Sequence, residues 1–164
     1  NSIMAQGVVA RVFRCFCDCS ELTEQEIQDI VMGHTDLVFK DFKVKQLFRA
    51  YMAKFHPSPS SGTYKRGPMC LKYINCYEMS QELLALPPEE RENYDRSDEL
   101  YENCPDYHWE KLLKKSIRNR RHPIEPEEIL NQFMLEMITR FEDDYHDYYG
   151  RFKEKLLEKL KQNS

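Results

Sequence analysis

The chain predicts an all-α fold, a single-domain bundle of seven to nine helices. Three observations carry that expectation. Only five glycines punctuate 164 residues, which is poor in the turns that sandwiches and barrels need. Apolar residues recur at helical spacing through most of the chain. The longest such run extends from Ile129 to Leu160. A chain of this length also buries an ordinary core without metal or cross-links.

The elements follow in order. "TEQEIQDIVMG" opens on a Thr23-x-x-Glu26 capping pair, shows Ile27, Ile30 and Val31 on one side, and stops at Gly33. "KVKQLFRAYMAK" places Val44, Leu47, Phe48, Tyr51 and Met52 on an amphipathic stripe, so a helix is expected from Lys43 to Lys54, ended by Pro57. "PSPSSGTYKRGP" is the loop. "MCLKYINCYEMSQELLAL" is the central helix, closed by Pro87 and Pro88, with Cys70 and Cys76 as small core residues. "PPEERENYDRSDELYENC" is a surface helix with acidic residues in its first turn. "DYHWEKLLKKSIRN" adds Trp109, Leu112, Leu113 and Ile117. From Glu127, the pattern Ile129, Leu130, Phe133, Met134, Met137, Ile138 and Phe141 continues through Tyr145, Tyr148, Phe152, Leu156 and Leu160. It reads as two stacked helices or one bent one, with Gly150 as its weak point. Leu71, Ile74, Phe133, Met137 and Phe141 should be buried together.

Residues 1–21 read as a separate Cys-containing segment and 22–164 as the helical domain. If Ala5 to Phe16 is helical, then Val8, Val9, Val12, Phe13 and Phe16 form an apolar side with Arg11 and Arg14 on its margin, a candidate membrane-proximal helix. Cys15, Cys17 and Cys19 beside it are lipidation candidates. Packing of the segment on the domain is the equal alternative. Met4 reads as the initiator, and "MAQG" lacks the glycine that myristoylation needs after Met. No apolar run approaches the ~20 residues of a membrane span, and Arg11 and Arg14 spoil a secretory core. The cysteines are therefore expected reduced, in the cytoplasm or at the inner face of a membrane. The alternative function is a structural zinc, with Cys104 or His108 as the distant ligand, or disulfides. C-x-C-x-C departs from the two- to four-residue gaps of zinc pairs, so no metal and no cofactor are expected.

Twenty-four Lys and Arg against 28 Asp and Glu, with the signs interspersed, give −4 and no nucleic-acid footprint. No phosphate-cradling glycine loop, G-x-S-x-G elbow or H-E-x-x-H pair occurs, so no catalytic residue is assigned. "FEDDYHDYYG" lacks EF-hand spacing and reads as a solvated helix end with tyrosines inward.

The order of "KVKQLFRAYM", a loop, "CLKYINCYEMSQEL", a charged stretch and the long last pattern resembles the regulator-of-G-protein-signalling (RGS) homology domain. The likeness is strongest to the divergent form in G-protein-coupled receptor kinases. Leu47, Phe48, Arg49 and Tyr51 carry it, with Tyr73 and Tyr77, and with Ile129, Phe133, Met137, Phe141, Asp144 and Tyr145. It spans roughly Leu22 to Leu160. The resemblance implies a two-lobed helical fold that binds a Gα subunit, or another signalling protein, through the loops at Tyr64, Lys65 and Arg66, at Asn103, Asp106 and Tyr107, and at Asp143, Asp144 and Asp147. Active members hold the GTPase switches in their transition-state shape and need no nucleophile. Here "KRGPM" stands where those members carry Glu-Asn, and Asp147 stands for the arginine of their Asp-Ser-x-x-Arg run. The resemblance thus implies an interaction module without GTPase-activating power.

Overall fold

The computed structural model describes residues 2–5, 8–18, 20–57, 69–118 and 124–162. Helices dominate, as expected of an all-α chain, and the structure divides into two compact units. One is formed by Asn1–Tyr64 with Tyr145–Ser164, the other by Lys65–Asp144.

The first unit begins with strands, not a helix. β1 (Ser2–Ala5) and β2 (Val8–Arg14) pair antiparallel with Ala5 opposite Val8, and β3 (Glu21–Thr23) pairs with β2 through Phe13 opposite Leu22. The helix expected from Ala5 to Phe16 is therefore corrected. Valines at 8, 9 and 12 are stiff at χ1 and suit a pleated strand better than a helix. The residues expected to face lipid are also corrected where described: Val12, Phe13 and Phe16 are buried. The Phe16 ring lies 5.6 Å from Tyr51, 5.9 Å from Phe55 and 6.1 Å from Phe152. Arg11 donates to the Leu160 carbonyl at 2.9 Å. The hairpin turns through Asp18, whose φ of 57° is left-handed, a conformation Asp tolerates better than most residues.

α1 (Glu24–Met32) carries the expected capping box: Thr23 Oγ1 accepts from the Glu26 N–H at 3.1 Å, and Glu26 Oε1 accepts from the Thr23 N–H at 3.0 Å. Gly33 ends it by close approach and not by an unusual φ. A Cβ there would sit 2.3 Å from Leu37 Cδ1 and 2.9 Å from the Asp29 carbonyl oxygen. α2 (Leu37–Lys40) is one short turn, and α3 (Phe42–Phe55) starts on Asp41, whose carboxylate accepts from the Val44 N–H at 3.1 Å. Phe48 and Tyr51 meet Phe152 edge-on at 5.4 and 5.6 Å, and Tyr149 joins them at 6.0 Å from Phe48. These rings form the unit's core.

In the second unit α4 (Met69–Ala85) is buried on most of its circumference, as a central helix is. Cys70 and Cys76 are core residues, as expected. Leu71 is corrected: it is only half-buried, while Ile74, Phe133, Met137 and Phe141 are fully buried. The expected surface helix after Pro88 is two elements, a 3-10 helix (Pro88–Asn93) and α5 (Ser97–Asn103), each at the surface with a single buried residue. Arg91 and Leu100 are buried. Arg96, between the two where a continuous helix was expected, pairs with Glu82 at 2.8 Å and Glu99 at 2.9 Å. α6 (Tyr107–Arg118) buries Leu113 and Ile117, with Trp109 and Leu112 half-buried.

α7 (Ile124–Gln162) is broken at Tyr145, whose φ and ψ of −130° and 17° are not helical. The expected weak point, Gly150, lies within regular helix, and a Cβ there would meet nothing within 4 Å. Gly150→Ala should therefore stabilise the protein by ~0.5–1 kcal/mol, because alanine removes backbone entropy from the unfolded chain at no steric cost. A lowered urea midpoint would contradict this.

Candidate functional site

Of the loop residues singled out in the sequence, Tyr64, Lys65 and Arg66 lie outside the described residues. Asn103, Asp106 and Tyr107 fall together at the junction of α5 and α6. α5 ends where Cys104 turns to extended backbone and Pro105 follows, and Asp106 then opens α6. Its Oδ1 accepts from the Trp109 N–H at 2.8 Å, the geometry of a helix cap. Its Oδ2 accepts from Arg140 on α7 at 2.8 Å, and the Arg140 Nε donates to Glu136 at 2.9 Å. Asn103 accepts from Asn75 on α4 at 3.2 Å and donates to the Glu99 carbonyl at 2.7 Å. Tyr107 leaves this frame with 74% of its surface exposed.

Partial burial pulls the Asp106 carboxyl upward, but the Trp109 N–H and the Arg140 guanidinium outweigh it and hold the group below the usual aspartate range. A lowered carboxylate pKa stabilises the folded state above the unfolded value, ~4, and that contribution fades as pH falls through and below this point. Asp106→Asn keeps a good cap and removes the charge. It should lower the urea midpoint at pH 7, and the gap to wild type should narrow as the pH falls below ~4 toward 3. A gap constant across that range would assign the effect to packing.

The same junction borders a cavity of about 320 Å³, lined among others by Lys72, Tyr101, Cys104, Asp106, Tyr107 and Glu110. Tyr73 on α4 shares the electrostatic surroundings of Asp106, Arg140 and Asp144. Burial raises its phenol, and the two carboxylates add to that. Asp144 thus belongs with the junction, and Asp143 is exposed on α7 beside it in sequence. Asp147 is a residue of the first unit. It pairs with Arg151 at 4.0 Å and accepts from the Tyr148 N–H at 3.0 Å. His146 is exposed, and of the neighbouring tyrosines only Tyr149 is fully buried.

Sequence reasoning missed Arg140, Lys72 and Tyr101. Arg140 lay on the polar side of a well-patterned helix, and no local spacing links it to a carboxylate 34 residues earlier.

The cysteine-rich turn is a second cluster. Cys15 is buried, and its Sγ lies 3.2 Å from that of exposed Cys17. Cys17 is engaged in a disulfide, and Cys19 lies outside the described residues. Of the lipidation candidates, Cys15 is thus buried and Cys17 exposed. Among the described residues, no three His, Cys, Asp or Glu side chains gather so as to hold a metal ion. None of the helices there is long and apolar enough to cross a membrane.

No protein-family model, curated protein or solved structure matches the chain.

Proposed function

We propose that this chain is a non-enzymatic, RGS-like interaction module of signalling that binds a Gα subunit through the α5–α6 junction. The observation that carries the reading is the pre-organised Asp106, capped by Trp109 and clamped by Arg140, with Tyr107 projecting beside it. An exposed aromatic next to a fixed charge is the composition of an interface anchor. Asn103, Asp106, Tyr107 and Asp144 are among the positions that the family resemblance assigns to partner contact. The cytoplasmic placement belongs to the same proposal, since Gα subunits are met there.

Immobilised protein should retain a Gα subunit loaded with GDP and aluminium fluoride, and Tyr107→Ala should abolish retention while leaving thermal unfolding unchanged. Failure with every Gα class would turn the reading to a scaffold for another signalling protein.

The module should bind without accelerating hydrolysis. Asp147 carries a negative charge where active relatives of the resemblance carry arginine, and an ionised carboxylate donates no hydrogen bond. Single-turnover GTP hydrolysis by a bound Gα is therefore expected to be unchanged by wild type and raised by Asp147→Arg. Wild-type acceleration of about tenfold, ~1.4 kcal/mol off the barrier, would overturn this.

A second reading, that the cysteines are the function, is favoured by one observation, the disulfide of Cys17 with the Cys15 sulfur beside it. Thiol counting and metal analysis of the purified chain separate the two.

A further inference from the structure

The α4–α5 junction of the second unit holds two free thiols, Cys76 and Cys104. Cys76 is fully buried on α4, whereas Cys104 is half-exposed and lines the cavity with Lys72 and Asp106. The two thiols lie near enough to act on each other electrostatically. The residues before them are hydrogen-bonded, Asn75 to Asn103 at 3.2 Å, which sets the register of α4 against the end of α5. The Cys104 backbone is held by its N–H, shared between the Leu100 and Tyr101 carbonyls at 3.1 and 3.3 Å. Neighbouring thiols on backbones held in register become a disulfide when the sulfurs close to ~2 Å.

We propose that Cys76 and Cys104 are an oxidation site, joined in a reversible disulfide when hydrogen peroxide enters the cavity. This stands apart from the identity of the protein partner. Cys104, the thiol the cavity reaches, attacks one peroxide oxygen as thiolate. An S–O bond forms, the O–O bond breaks, and the departing hydroxide takes up the proton that the thiol released, leaving as water. The Cys76 sulfur then attacks the Cys104 sulfur. The S–S bond forms, the S–O bond breaks, and the Cys76 proton leaves with the hydroxide as a second water. Two thiols lose two electrons and one peroxide gains them, and a dithiol reductant reverses the result. Lys72, one turn before Cys76 and lining the same cavity, acts electrostatically on the Cys76 thiol and favours its thiolate. Cys70, on the same helix, is an internal control: it is fully buried and lies outside the cavity lining that reaches Cys104.

The full chain, reduced and freed of reductant, is treated with hydrogen peroxide, unfolded in N-ethylmaleimide and mapped by peptide mass spectrometry. Cys76 and Cys104 should lose alkylation together, one for one, and appear in a single cross-linked peptide that dithiothreitol releases, while Cys70 stays alkylatable. Cys104→Ser should remove the cross-link and leave Cys76 alkylatable. Cys76→Ala should leave Cys104 as a sulfenic acid captured by dimedone, which keeps the test decisive where the serine variant does not fold. The proposal is overturned by a wild-type chain in which both thiols survive excess peroxide, in which Cys104 goes to sulfinic acid with Cys76 still alkylatable, or in which the cross-link joins two chains.

Discussion

Phe133→Ala is expected to cost the protein ~3–5 kcal/mol of stability, the range for emptying a fully buried aromatic site. Phe133 is wholly excluded from solvent on α7, its ring 5.2 Å from that of Trp109 on α6, and Met137 and Phe141 continue the same buried row. Truncation removes the ring's transfer free energy, and it leaves a cavity that close-packed neighbours fill only in part. The loss also breaks a tilted aromatic pair, worth up to ~1.5 kcal/mol beyond buried area. Phe141→Ala should fall in the same range, and urea unfolding of both variants reads the effect directly. Losses under ~1 kcal/mol for both, well below that range, would mean that the first half of α7 does not form the core of its unit.

Arg91→Met is expected to cost ~2–3 kcal/mol, although it replaces a charged residue with an apolar one of similar length. The Arg91 side chain is buried. Its Nε donates to the Leu83 carbonyl at 3.0 Å near the end of α4, and its terminal nitrogen donates to Glu127 on α7 at 2.9 Å. Leu83 is one of the last helical carbonyls, and it also accepts from the Leu86 N–H at 3.2 Å. Methionine fills the space but takes from that carbonyl its charge-assisted hydrogen bond, worth ~1.5–3 kcal/mol. Glu127 is half exposed and returns to water cheaply. Arg91→Lys should rescue little, because one ammonium lacks the planar fork that serves two acceptors at once. Rescue to wild-type stability by lysine would show that charge alone matters at this site.

The elements that were legible in advance have local causes. The Thr23–Glu26 capping box, the Asp41–Phe55 region and the row from Phe133 to Phe141 are written in residues three or four apart, and short-range chemistry decides them. The α5–α6 junction was legible as a loop worth notice, through Asn103, Asp106 and Tyr107. Its clamp was not, because Arg140 reaches Asp106 across 34 residues.

Helical composition, the length and burial of α4, and the core placement of Cys70 and Cys76 were determined by periodicity and side-chain volume within single segments. Tertiary structure decided the rest. The N-terminal valines and phenylalanines suited a lipid-facing helix as well as a strand until β3 and the rings of Tyr51, Phe55 and Phe152 supplied partners, and a half-buried pleat then satisfied both backbone and side chains. The break in α7 fell at Tyr145 and not at Gly150. Tyr145 is also where the chain passes from one compact unit to the other, a boundary that helical spacing does not mark. Arg91 lies in the stretch expected at the surface, and its long-range acceptors, invisible to periodicity, are what make its buried guanidinium tolerable.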